Sequence, residues 1–357
     1  MSPFVNNSVQ AAVLYPGTNR DLRVEDRDLW QPAPDQVQIA IAVTGLCGSD
    51  LHYYTHGRNG DFAVPAGVIT AVGRNVGGLK VGQRVAIEAG IFCRQCSFCV
   101  KGRYNLCKTM KFCSSASVFP HFDGTLRERM NHPAYVVPSA SLAEPLSVLI
   151  HASRRANLQE GHSVLVFGAG TIGLLACALA RARGASRIVA VDLNPARLEF
   201  AKRNGFATET YTQYLSEQHI QTMKARATGI LHHFNQRDGF DLVYECTGAE
   251  QCIQMSVFAA STGGKVMLIG MGSRNVLLPL SSAACREVDI LGSFRYCDTY
   301  PDALELLGSG KLNVDCLVTH RFALKDTKKA FETMARGTDD QGNMVMKVMV
   351  GPGSVKV

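Results

Sequence analysis

Long apolar runs are missing from this chain. The longest candidate, Gly168 to Ala180, is rich in glycine and is followed by Arg181 and Arg183. It falls short of the roughly 18 residues that a bilayer span needs, so no membrane-spanning helix is expected. Blocks of like charge are missing too. The formal net charge is +7, yet the lysines and arginines are scattered. That pattern predicts mild attraction for anionic ligands and no nucleic-acid-binding face. No internal repeat or low-complexity segment interrupts the sequence. The opening residues, MSPFVNNSVQ, carry no apolar signal segment. A reducing, cytoplasmic compartment is therefore expected, in which the 12 cysteines are free or metal-bound.

What is present has the size and texture of two domains. A chain of 357 residues is long for one core, and 46% apolar with 19% charged residues is ordinary for a globular protein. Gln36-Val-Gln-Ile-Ala-Ile-Ala-Val43 alternates polar or small residues with branched apolar ones, the period of a half-buried strand. Glycine and proline punctuate this region, so residues 1–150 read as short strands joined by turns, a barrel or folded sheet. From Pro145 to Asn157 the pattern becomes helical. Ser163 to Phe167 is a continuous apolar run suited to a strand buried on both faces. A helix over Leu174 to Arg183 follows, stopped by Gly184. Next come a strand over Arg187 to Val191 and a helix that Asn194-Pro195 starts and Gly205 stops. Further strands are expected over Asp241–Cys246, Lys265–Ile269 and Val288–Phe294. This alternation predicts an α/β domain over 151–290, a doubly wound parallel sheet. Residues 291–357 end that sheet, then add a strand (Leu317 to Phe322) and a helix (Leu324 to Gly337) that return to the first domain. Phe206 to Asp238 is polar and poorly periodic and is assigned no element.

Two motifs carry chemistry. Cys93, Cys96, Cys99 and Cys107 are spaced so that four thiolates can converge on one tetrahedral ion, the closed coordination that Zn²⁺ prefers. The competing reading is a pair of disulfides or unrelated core cysteines, which suits a secreted chain better than this one. The second motif is Gly168-Ala-Gly170-Thr-Ile172-Gly173, placed after a buried strand and at the start of a helix. Gly168 permits a tight turn, Gly170 lets the backbone approach a pyrophosphate, and Gly173 allows helix and strand to pack closely. The helix N-terminus then directs its N–H groups at the phosphates. Asp192 lies 19 positions after Gly173, at the end of the next strand. Its carboxylate can accept from both ribose hydroxyls and repels a 2′-phosphate, which favours NAD over NADP; the alternative is a simple turn residue. Arg197, one helical turn on, either flanks the adenine ribose or solvates the helix.

With both motifs in place, the chain resembles the zinc-dependent medium-chain dehydrogenases, and most closely their polyol branch (sorbitol, xylitol and L-arabinitol dehydrogenases). The resemblance covers nearly the whole chain. It is carried by Gly45-Leu-Cys47-Gly-Ser-Asp-Leu-His-Tyr53, the four-cysteine lobe, Ala143-Glu-Pro-Leu-Ser-Val148, the glycine-rich loop, and Arg286-Glu-Val-Asp-Ile-Leu-Gly-Ser-Phe-Arg-Tyr296. It implies a GroES-like catalytic domain, a Rossmann domain, a homotetramer, and a small polyol substrate with neither nucleic acid nor membrane as partner. It also implies that Cys47 is the thiolate ligand of a catalytic zinc and that Glu144 holds the metal or its bound water. Ser49 relays the substrate proton, while Tyr53, Arg295 and Tyr296 line the polyol pocket. Core or interface packing is the alternative for Cys47, Arg295 and Tyr296.

The chain departs from this family at one place that matters. The family carries a Gly-His-Glu segment after the zinc cysteine, and here the chain runs Gly60-Asp-Phe-Ala-Val-Pro-Ala-Gly67 instead. No histidine occurs from Gly57 to Pro120. A second contraction lies between Ala134 and Glu144. Cys47 and Glu144 are two ligands where a catalytic zinc has three plus water. The nearest substitutes are His52, read as a solvated or core histidine, His56, read as a loop residue, and His121. Three functions follow: an NAD-dependent polyol dehydrogenase that makes a ketose, a zinc-independent reductase of activated double bonds, or a cofactor-binding pseudoenzyme that keeps only the structural zinc.

Overall fold

Alternating burial organises the first part of the chain. In the computed structural model, which describes residues 7–15, 20–56, 64–115, 118–120, 122–137, 143–214, 219–272 and 275–353, strands β1 (Asn7–Leu14) and β2 (Leu22–Leu29) form an antiparallel pair. Strand β3 (Gln36–Gly45) buries Val37, Ile39 and Ile41 at a period of two. Helix α1 (Gly48–His56) follows, then β4 (Val64–Val72), β5 (Arg84–Ala86), β6 (Gly90–Ile91), the short helix α2 (Ser97–Val100), β7 (Lys111–Phe112) and β8 (Arg129–Pro133). Sequence patterning gave no hint of α1, so His56 closes a helix and does not stand in a loop.

Next comes the α/β alternation. Helix α3 (Ala143–Ala156) precedes β9 (Ser163–Phe167), α4 (Thr171–Ala182), β10 (Arg187–Asp192), α5 (Pro195–Arg203), β11 (Glu209–Thr212), α6 (Ile220–His233), β12 (Phe240–Glu245), α7 (Glu250–Ala259), β13 (Ala260–Leu268), α8 (Leu280–Ala284), β14 (Asp289–Gly292) and α9 (Tyr300–Gly308). All six strands run parallel in the order β11-β10-β9-β12-β13-β14. This is the doubly wound arrangement that the alternation predicts. Every residue of β9 is buried. Phe167, Val189, Val243 and Val266 of the sheet join Met223 and Ile230 of α6 and Met255 of α7 in one apolar core. Asn194 caps α5 by accepting from Ala196 N at 2.9 Å, with Pro195 in the first turn.

The chain then returns. Strand β15 (Val318–Ala323), helix α10 (Thr327–Arg336) and strand β16 (Lys347–Gly351) complete a sheet ordered β15-β16-β3-β4-β5, with β8 also on β3. Helix α10 stops where Gly337 takes φ +73°. Leu46 and Tyr54 pack with Phe331 of α10 and Val348 and Val350 of β16. The structure thus divides into residues 1–144 with 317–357, and 145–316. Residues 145–156 belong to the second unit because Ser153 Oγ lies 2.6 Å from Tyr244 Oη and Thr299 Oγ1 donates to Ser147 O.

Several expected limits move for identifiable reasons. The helix after the glycine-rich loop starts at Thr171, because Gly170 already occupies the cap position. Strand β14 is shorter than Val288–Phe294: Val288 N–H is held by Ala283 O, and Phe294 is half exposed. The unassigned stretch holds β11 and α6, whose buried side is Met223, Ala227, Ile230 and Leu231. No helix among the described residues is long and apolar enough to cross a membrane.

Candidate functional site

The glycine-rich loop lies at the carboxyl end of β9, where an open α/β sheet receives its ligands. Gly168 takes φ +98°, a conformation that favours glycine. A Cβ on Gly173 would stand 1.7 Å from Gly168 O, so close packing of α4 on β9 requires glycine there. A Cβ on Gly170 would meet nothing within 4 Å, which leaves open space above the loop. Gly170 at the cap position brings no side chain to α4, so the first turn can offer N–H groups to a phosphate. Ile172 is half-buried in that turn. Asp192 ends β10, accepting from Ala169 N at 2.6 Å and Asn194 N at 2.8 Å. Arg197 is half-buried on α5, and its Nε has no hydrogen-bond partner among the described residues. These residues fit a dinucleotide: donors for the pyrophosphate, room for close approach, and a fixed carboxylate for the ribose.

In the cysteine lobe, the sulfurs of Cys93, Cys96, Cys99 and Cys107 all lie within 4.8 Å of one another. Cys93 and Cys99 are 3.9 Å apart, Cys96 and Cys99 3.5 Å. Tetrahedral zinc with Zn–S bonds of about 2.3 Å sets sulfurs about 3.8 Å apart, so the group fits. Backbone N–H groups of Gln95 and Cys96 hold the Cys93 thiol down at about 6, while burial pushes Cys99 up to about 12. A bound cation draws all four toward thiolates. All 12 cysteines are free thiols.

The residues expected around a catalytic zinc are arranged differently. Cys47 precedes α1; its N–H donates to Asp50 Oδ2 at 2.9 Å, and Ser49 N donates to its sulfur at 3.3 Å. Burial, the Asp50 carboxylate and the Glu144 carboxylate push the Cys47 thiol pKa up, and the Lys347 ammonium opposes them. Lys347 Nζ donates to Leu46 O at 2.7 Å. Glu144 is buried in the first turn of α3, and Tyr53 is half-buried on α1. The four-cysteine lobe is the one cluster of three or more metal-binding side chains among the described residues. Cys47 and Glu144 therefore do not make, among the described residues, a three-ligand zinc site. His52 is exposed, and His121 and residues 57–63 lie outside the described residues.

Arg295 and Tyr296 belong to the second unit. Arg295 has φ +55° and its guanidinium lies over the Phe294 ring, 4.8 Å from the centroid. Tyr296 is buried edge-on to Tyr300, with centroids 5.3 Å apart. Sequence reasoning missed Asp50, Lys347 and the buried Glu245. The first stands three residues after Cys47, the spacing of a capping side chain; the second is a lone lysine inside the apolar run Val345-Met-Lys-Val-Met-Val350.

Comparison with known proteins agrees with this architecture. Residues 33–141 match the alcohol dehydrogenase GroES-like domain, and residues 171–309 match the zinc-binding dehydrogenase domain. Sorbitol dehydrogenase of Gallus gallus is 40% identical over 335 residues, covering 89% of this chain and 91% of that protein. L-idonate 5-dehydrogenase of Vitis vinifera is 39% identical over 354 residues, 92% of each. The crystal structure of galactitol-1-phosphate dehydrogenase from Escherichia coli matches 96% of this chain and 100% of its own, with a TM-score of 0.81 and 27% identity. Two matched domains in the right order, and this degree of identity across most of its length, make the chain a member of the zinc-dependent medium-chain dehydrogenase family, in its polyol dehydrogenase branch.

Proposed function

We propose that this chain transfers a hydride from a secondary hydroxyl of a polyol to NAD, giving a ketose. The observation that carries the reading is the dinucleotide crevice, in which Asp192 is fixed by Ala169 N and Asn194 N. A carboxylate held there accepts from ribose hydroxyls and disfavours a 2′-phosphate. The substrate class rests on the names of the relatives, sorbitol dehydrogenase and L-idonate 5-dehydrogenase. When bound, the nicotinamide accepts the hydride. The chain's own residues bind and orient the reactants: in the first unit Ser49 relays the hydroxyl proton and Tyr53 hydrogen-bonds a neighbouring hydroxyl. The zinc assigned to the four cysteines is structural. A homotetramer in a reducing cytoplasm completes the proposal.

One observation favours a second reading. The Glu144 carboxylate and the Lys347 ammonium both act on the Cys47 thiol, and among the described residues the four-cysteine lobe is the one group of three or more metal-binding side chains. A chain that binds NAD(H) without oxidising alcohols has this appearance. Zinc per chain and NAD-dependent turnover of a pentitol and hexitol panel, measured on freshly purified protein, separate the two. Polyol turnover supports the dehydrogenase. Tight NADH binding, one zinc and no turnover on any polyol would replace it with the cofactor-binding reading.

A further inference from the structure

The hydride chemistry above makes no use of one charged side chain in the second unit. Glu245 closes β12 and is fully buried. Its carboxylate accepts from Thr247 N at 2.8 Å, from Gly248 N at 3.0 and 3.1 Å, and from Thr247 Oγ1. That hydroxyl in turn accepts from Ala249 N at 3.0 Å. All these donors are neutral and belong to Glu245's own turn. Among the described residues no lysine or arginine pairs with it, so the charge is solvated by the turn but not neutralised. Burial lifts its pKa and the turn donors pull it back.

The turn that Glu245 holds borders the cofactor crevice. Cys246 N donates to the carbonyl of Phe167, the residue before Gly168, at 2.9 Å. A Cβ on Gly168 would meet Thr247 Cγ2 at 2.9 Å. On its other side, Ile269 N and Gly270 N both reach the Glu245 carbonyl at 2.9 Å, and a Cβ on Gly270 would stand 2.1 Å from Gly248 N. Three loops at the carboxyl ends of β9, β12 and β13 therefore nest backbone on backbone. In a doubly wound sheet each half takes one mononucleotide. Asp192 marks the β9–β11 half for adenosine, which leaves the β12–β14 half, where Glu245 sits, for the nicotinamide. The oxidised nicotinamide ring is a cation and the reduced ring is neutral.

We propose that Glu245 is a specificity-determining residue for the oxidation state of the cofactor: its buried, unneutralised carboxylate at the nicotinamide half favours NAD⁺ over NADH. The proposal rests on the cofactor reading given above. It also gives the residue a use in turnover, because the product NADH loses the attraction that held NAD⁺.

Dissociation constants for NAD⁺ and NADH, measured by calorimetry at pH 8 on the full chain, test it. Glu245→Gln removes the charge and keeps an acceptor, so NAD⁺ affinity falls on the order of tenfold relative to NADH. Glu245→Asp keeps the charge on a shorter arm, so both affinities fall together and their ratio holds. Equal weakening of both nucleotides in E245Q, or no change in either, overturns the proposal and leaves Glu245 a turn-holding residue. If E245Q does not fold, E245D decides: a ratio shifted about tenfold despite the retained charge overturns it as well. A wild-type chain that binds neither nucleotide overturns the cofactor reading itself, and this proposal with it.

Discussion

Asp192 does two jobs with four lone-pair directions. One oxygen takes Ala169 N and the other Asn194 N, so the carboxylate is pinned while both oxygens keep capacity for a ribose. On the proposed cofactor reading its charge is a fixed obstacle to a 2′-phosphate. Replacing Asp192 with Ala removes the obstacle and loosens the loop. The expected result is that the preference for NAD over NADP, taken as a ratio of dissociation constants, narrows by about tenfold or more; an unchanged ratio would remove Asp192 from the cofactor site. Asp192, the loop glycines and the four cysteines are legible in sequence because each acts within a short local pattern. Lys347 is not, since its partner Leu46 lies 301 residues away. Glu245 is hidden for a different reason. Its partners are only two and three residues on, yet an acidic residue at a strand end carries no mark of being fully buried.

At the scale of elements, the cysteine lobe has little regular structure to hold it. It contains a four-residue helix and a two-residue strand pair, supported by Phe92 stacked on Tyr104 at 4.0 Å and by Tyr135 Oη donating to Phe92 O at 2.8 Å. Metal ligation is what such a lobe lacks otherwise. Cys99→Ser should lower the melting temperature by ~5 °C and open residues 93–107 to proteolysis before the rest unfolds. Equal melting curves and equal digestion would refute the structural-zinc assignment. Helix α6 shows where pattern reading fell short. Its buried stripe has helical spacing, but Ala227 contributes little hydrophobic signal. Its N-terminus is capped by His219, whose ring accepts from Gln221 N at 3.3 Å, in place of the usual serine or aspartate. Strand β11 is half-buried throughout and shows no alternation.

Stability of the whole molecule carries a pH signature. His132 in β8 is fully buried with Nε2 3.1 Å from Glu88 O, and burial pulls its pKa down to about 4. The unfolded chain protonates this ring near its ordinary value of about 6.5. Above that pH the native state loses nothing through His132. As pH falls from 6.5 toward 4 the unfolded state takes up a proton that the native state refuses, at a cost of about 3 kcal/mol. Glu245 acts in the opposite sense, because its raised pKa favours protonation of the native state. His132→Gln keeps a donor for Glu88 O and removes the titration, so denaturation midpoints of the variant should fall less than wild type between pH 7 and 5. The doubly wound sheet was legible from alternating strands and helices, whereas the first unit's boundaries depend on a pairing of distant segments. That pairing has a consequence for biosynthesis. Thr44 and Gly45 of β3 pair with Met349 and Val350 of β16, so during synthesis the sheet built on β3 lacks β15 and β16 until the whole 145–316 unit has been made. The 145–316 unit can fold while β3 waits, and a truncation ahead of β15 spares that unit while leaving the first unit with an open strand edge for chaperones to shield.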